Sequence, residues 1–163
     1  ELYWKHRHWR LLALANLPKS IGVQTTFVQA KSIGNVTVTY FVDSALISVK
    51  VDLERLEKGG LQRIFLLNEQ GSRFFKKYLD SNGTVLFDKQ IGAWENVEAD
   101  WAYISNKSDE VGFRLWKVKD TILHRGREFL KGTFDWVGLD YEVNPEKTRF
   151  EYNIEIFGSL KRK

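Results

Sequence analysis

The 163-residue chain contains no cysteine. That removes disulfides, thiolate nucleophiles and cysteine-based zinc sites together, and it suits a compartment where oxidation is a hazard. Methionine is also absent, and the chain begins at Glu1; a processed mature form or an excised domain is therefore expected. Apolar runs are short. None approaches the ~18 residues of a membrane-spanning helix, and no h-region marks a signal or transit peptide.

Catalytic signatures are equally scarce. There is no Gly-x-Ser-x-Gly elbow, no Walker loop and no glycine-rich dinucleotide fingerprint. Histidine is limited to His6, His8 and His124, so a Ser-His-Asp arrangement would have to run through one of these. His6 and His8 share one face of an extended segment, but Lys5, Arg7 and Arg10 oppose a bound cation. Only His124 could add a third imidazole, and a basic, exposed N-terminus explains the pair as well. No metal site is assigned, no catalytic residue is named and no cofactor is implied.

What is present describes a globular domain. Hydrophobic residues make up 43% and charged residues 28% of the chain, which excludes general disorder. A chain of this length buries roughly 68–70% of its unfolded surface and needs no disulfide or metal to hold a core. The formal net charge of +4 is unevenly spread. Residues 1–31 hold Lys5, Arg7, Arg10, Lys19 and Lys31 against Glu1 alone, and the tail Lys161-Arg162-Lys163 is wholly basic. Residues 32–160 carry 17 basic and 20 acidic residues, a slight acidic excess. No specific nucleic-acid partner is expected from a body of that sign. Basic ends suit solvated termini, or a membrane tether outside these residues.

Alternation with period two is the strongest pattern. In Asn35–Val42, Val36, Val38, Tyr40 and Val42 share one face; in Ala45–Leu53, so do Ala45, Ile47, Val49, Val51 and Leu53. Phe150, Tyr152, Ile154 and Ile156 alternate with Arg149, Glu151, Asn153 and Glu155. Each predicts a strand with one dry and one wet face. Leu61–Leu67 reads as a strand buried on both faces. Turn residues separate the runs: Glu57-Lys58-Gly59-Gly60, Asn82-Gly83, Asn106-Lys107-Ser108-Asp109 and Asn144-Pro145-Glu146-Lys147. Asn82-Gly83 predicts a type I′ hairpin between Arg73–Asp80 and Thr84–Asp88. The phase of alternation changes at Trp136-Val137, which predicts either a β-bulge or sheet crossing, or a strand end buried on both faces. Before Pro18, residues Trp9, Leu11, Leu12, Leu14 and Leu17 fit a short helix or an interrupted strand, and Thr25–Gln29 begins another strand. The expected fold is an all-β, antiparallel two-sheet sandwich of roughly ten strands, extending to a supersandwich, with at most short helices. It is read as one domain over 1–163, with 1–20 a peripheral or flexible segment.

Aromatic residues reach 14%, including six tryptophans. Most are expected to fill the space between sheets. Trp94 follows Gly92 in a loop-like stretch, Trp101 adjoins Asp100, and Trp116 falls in the phase opposite to Phe113 and Leu115, alongside Arg114. Trp94, Trp101 and Trp116, with Glu95 and Arg114, form the candidate ligand-binding set, since an indole with polar neighbours stacks on a sugar or anchors a protein. Glu95, Glu98 and Asp100 are the candidate acid–base carboxylates of an enzymatic alternative. Sequons occur at Asn35, Asn82 and Asn106.

A set of short matches runs through the later half: Leu86-Phe87-Asp88, Trp94, Ala99-Asp100-Trp101-Ala102, Gly112-Phe113 and Val143-Asn144-Pro145-Glu146-Lys147-Thr148. Across residues 84–158 this resembles galactose-mutarotase-like β-supersandwich domains, which occur in sugar-active enzymes and in the periplasmic domain of bacterial membrane insertases. The resemblance implies a sandwich fold. The catalytic His and Glu of mutarotases have no counterpart here, so it does not imply that activity. The expected function is a non-enzymatic, extracytoplasmic β-sandwich module that binds a carbohydrate or a protein. The alternatives are a sugar-active enzyme or its accessory domain, and a structural protein of viral or microbial origin.

Overall fold

β-Branched and aromatic residues in period-two order give extended chain, because one face of each strand can then be buried while the other stays wet. The computed structural model describes residues 33–130 and 134–158. The chain divides into two units, Glu1–Ile33 and Gly34–Lys163; the sandwich lies in the second. The readings made for His6, His8, residues 9–17 and Thr25–Gln29 lie outside the described residues. Among the described residues, no helix is long and apolar enough to cross a membrane.

Among the described residues, twelve strands form two antiparallel sheets. The seven-stranded sheet runs β1 (Thr37–Asp43), β2 (Leu46–Asp52), β12 (Arg149–Gly158), β9 (Val111–Trp116), β8 (Trp101–Asn106), β5 (Phe75–Asp80) and β6 (Val85–Phe87). The five-stranded sheet orders β3 (Ile64–Leu66), β11 (Phe134–Val143), β10 (Thr121–Leu130) and β7 (Glu95–Val97), and β4 (Glu69–Gly71) also pairs with β11. One 3-10 turn, Asp88–Ile91, follows β6. The all-β sandwich expectation is met.

The core lies between the sheets. Val49, Val51, Tyr78, Ile104, Leu115 and Phe150 enter it from one side, and Leu123, Val137, Leu139, Tyr141 and Val143 from the other. Tyr141 packs on Phe150 and Tyr152, with ring centroids 5.3 and 5.0 Å apart. Their hydroxyls stay satisfied: Tyr141 donates to the Trp116 carbonyl at 2.5 Å and Tyr152 to Asn68 Oδ1 at 3.0 Å. Burial raises both phenols, Tyr152 to about 12.

Three expectations are corrected, and the choice left open at Trp136-Val137 is decided for a strand buried on both faces. The Val36–Val42 face predicted to be dry is exposed throughout β1, because β1 is the sheet edge and the opposing sheet has fewer strands. Leu61–Leu67 is not buried on both faces: only Ile64–Leu66 is strand, and Phe65 and Leu67 are exposed. Asn82-Gly83 does not form a type I′ turn, since Gly83 has a positive φ (83°) and Asn82 does not. Asp80 Oδ1 accepts the N–H groups of Asn82 and Thr84, and Gly83 N–H bonds the Asp80 carbonyl, giving a three-residue connection that ends in a left-handed glycine. Finally, β11 has no bulge at Trp136-Val137. Its register with β10 is unbroken, and its middle, through Gly138 and Asp140, is buried on both faces.

Candidate functional site

Strand parity decides which side chains leave the core. In β8, Ala102 and Ile104 point inward, so Trp101 and Tyr103 point out; in β9, Phe113 and Leu115 are inward, so Arg114 and Trp116 are outward. In β12 the same rule puts Glu155 and Phe157 outside, opposite Tyr152 and Ile154. Register then brings these residues together. Trp101 faces Trp116, Tyr103 faces Arg114, and Glu155 faces Arg114 from the other flank.

Arg114 is the centre of the group. Its guanidinium carbon lies 5.4 Å from the Trp101 ring, 5.0 Å from Trp116 and 4.9 Å from Phe157, within cation–π range of all three. Nε donates to Glu155 Oε2 at 2.8 Å and Nη2 donates to the same oxygen. The other oxygen, Oε1, accepts the Trp116 indole N–H at 2.7 Å. Tyr103 meets Phe157 edge to face, 5.4 Å between centroids, and its ring lies over Gly112, where a Cβ would fall 2.5 Å from the phenol oxygen. Partial burial raises the Tyr103 phenol above its ordinary value. The apolar surface continues across the sheet through Leu79, which faces Tyr103, to Val85 and Phe87, both exposed. Trp116 is 42% exposed and Phe157 38%.

This face unites three of the five residues singled out from sequence: Trp101, Arg114 and Trp116. Of the other two, Glu95 opens β7 of the five-stranded sheet and Trp94 immediately precedes it. Trp94 is half-buried against Gly126, and its Nε1–H donates to Glu128 Oε1 at 2.8 Å. Glu95 pairs with Arg125, whose guanidinium also bonds the Ile91 carbonyl and lies 4.9 Å over the Tyr78 ring. Sequence reasoning missed Tyr103, Glu155 and Phe157. The signal was there, since an inward Tyr152 and Ile154 require an outward Glu155 and Phe157.

The proposed acid–base carboxylates are dispersed. Glu98 is largely exposed, 3.7 Å from Lys117, Asp100 is exposed, and Glu95 serves Arg125. The carboxyls with raised proton affinity are Glu69 and Asp140 instead. Asp140 is only 3% exposed, and burial, with the neighbouring charges of Glu69 and Glu128, lifts it to about 7. Burial and Glu128 likewise raise Glu69. Asp140 Oδ1 accepts the Asn68 N–H at 2.8 Å where the edge of the sheet breaks between β3 and β4. Among the described residues, no group of three His, Asp or Glu side chains is placed to hold a metal ion. His124 bonds Glu142 at 3.0 Å.

No family model, no curated protein and no solved structure matches the chain.

Proposed function

We propose that the chain is a non-enzymatic binding module that acts outside the cytosol and contacts a protein partner through the outer face of its seven-stranded sheet. One observation carries the proposal: Trp101, Trp116 and Phe157 surround Arg114, and Glu155 fixes both Arg114 and Trp116. Trp, Tyr and Arg are the residues that dominate binding energy at protein interfaces. A group already held in place loses little conformational entropy on binding. Both Glu155 oxygens are committed to holding Arg114 and Trp116, and a Trp and Arg group of this composition favours a protein over a carbohydrate. The absence of cysteine and the exposed sequon at Asn82 support an extracytoplasmic setting. The kinship to mutarotase-like domains remains a proposal that rests on the residues quoted above.

The test is affinity capture with the wild-type chain and with Trp116→Ala, run beside a glycan array. Retention of a protein by the wild type and its loss in the variant, at unchanged melting temperature, is the expected result. A Trp116-dependent glycan signal without a protein would move the ligand class to carbohydrate. Equal behaviour of the two chains in both assays would remove this face from the function.

A further inference from the structure

Five of the described strands lie on the outer edges of the two sheets, and one is unlike the rest. β6, β3, β4 and β7 span three residues each, whereas β1 spans seven. Short strands blunt an edge; lysine, proline and bulges do the same for long ones. β1, Thr-Val-Thr-Tyr-Phe-Val-Asp, has none of these devices, and its register with β2 is unbroken over all seven pairs. It also exposes apolar side chains on both faces. Tyr40 is 61% exposed and Val42 73% on one face, and Phe41 is 55% exposed on the other. No described residue pairs with its outer edge.

We propose that β1 is a self-association edge: two copies pair β1 with β1, antiparallel, about a two-fold axis through Tyr40. The sequence of the strand matches itself in that register, the one that uses all seven residues. Val38 then faces the partner's Val42, Thr39 faces the partner's Phe41, and Tyr40 faces its own counterpart. A two-fold axis perpendicular to the sheet keeps the Val38-Tyr40-Val42 face on one side in both copies, so the apolar rows run on across the seam. The single charge, Asp43, falls opposite a threonine at the end of the seam, and no like charges face each other. The strand is neutral from Thr37 to Val42 and holds nothing to select a charged peptide. A second copy supplies the complementary chemistry, and the contact is isologous and closes as a dimer. The two seven-stranded sheets become one continuous sheet.

Absence of cysteine makes the test clean. On the axis, two Cα atoms of an antiparallel pair lie about 4.5–5.5 Å apart, inside the range that a disulfide bridges. Tyr40→Cys in the full chain is expected to give a reducible covalent dimer under mild oxidation. Val85→Cys, on the opposite edge of the same sheet, should give no covalent dimer. In ultracentrifugation the wild-type chain should sediment as a dimer in the micromolar range. Tyr40→Lys sets two ammonium groups face to face and should weaken association by about tenfold or more, with an unchanged circular dichroism spectrum. A monomeric wild-type chain would overturn the proposal, and so would Val85→Cys cross-linking as readily as Tyr40→Cys. Should Tyr40→Lys fail to fold, the cysteine pair decides alone.

Discussion

Glu155 holds Trp116 by its indole N–H at 2.7 Å, across the seam between β12 and β9. The same carboxylate fixes Arg114, so one side chain orders both the cation and the ring of the contact face. Trp116→Ala removes an exposed ring and is expected to cost under about 1 kcal/mol of stability while abolishing partner capture. Glu155→Gln keeps the shape but weakens its hold on the guanidinium. That change should also cost under about 1 kcal/mol, since partly exposed ion pairs contribute little, yet capture should weaken. Thermal melts beside capture assays check both variants. A Trp116→Ala chain that melts far below the wild type would make the indole a packing residue.

Trp94 is predicted to behave oppositely. Its ring lies on Gly126 so closely that a Cβ there would come within 2.5 Å of it. Trp94→Ala should cost about 2 kcal/mol through lost packing. Gly126→Ala should cost about 1–3 kcal/mol through overpacking. In a Trp94→Ala background, however, Gly126→Ala should be neutral or slightly stabilising, because the added methyl then meets no ring and alanine suits a strand better than glycine. A double-mutant cycle by urea unfolding reads this coupling; additive effects would mean that the two residues do not touch.

This pair shows where sequence stops being informative. Alternation located β2, β9 and β12, and it gave the correct inward phase for Val49, Val51, Leu115 and Tyr152. It could not tell Trp94 from Trp116, because that depends on which strand crosses opposite each ring. Nor could it show that β1 lacks a covering layer, since a dry-looking face is dry only if the other sheet reaches it. β3, β4 and β7, of three residues each, are too short for a period-two pattern. The proximity of Asp140 to Glu69 and Glu128 arises from strand order alone, and these residues are 59 positions or more apart except for Glu128 and Asp140.

The Asn106 turn makes a prediction about folding and about modification. Asn106 Oδ1 accepts the N–H groups of Glu110 and Val111 at 2.8 and 3.1 Å, and Nδ2 donates to Ser108. Asn106→Ala leaves those backbone groups without their acceptor and should cost about 1–3 kcal/mol. Because the amide is buried and in use, this sequon should stay unmodified in a glycosylating host, whereas the exposed Asn82 can accept a glycan. Mass spectrometry of the expressed chain checks that; occupancy at Asn106 in a folded chain would contradict the turn geometry.

Asp140 gives the chain an unusual dependence on pH. Its carboxyl is raised from the ordinary 3.8 to about 7, first by burial and then by Glu69 and Glu128. Between those values the unfolded chain has lost the proton and the folded chain retains it, so stability falls as pH rises through the window. The fall should reach on the order of a few kcal/mol by pH about 8, and the raised Glu69 acts in the same direction. Asp109, held low by hydrogen bonds from Lys77 and Ser105 against its partial burial, and Asp135, held low by Arg127, act oppositely. Their stabilisation is lost as pH drops below the ordinary carboxylate range. A stability maximum in mildly acidic solution follows. Asp140→Asn preserves the acceptor for the Asn68 N–H, 2.8 Å away in the wild type, and removes the charge. Urea unfolding at about pH 5 and about pH 8 should therefore show a drop for the wild type and a much smaller one for the variant. At the higher pH the variant should be the more stable of the two. Equal pH slopes for both chains would mean that Asp140 titrates as an ordinary carboxylate and that solvent reaches it freely.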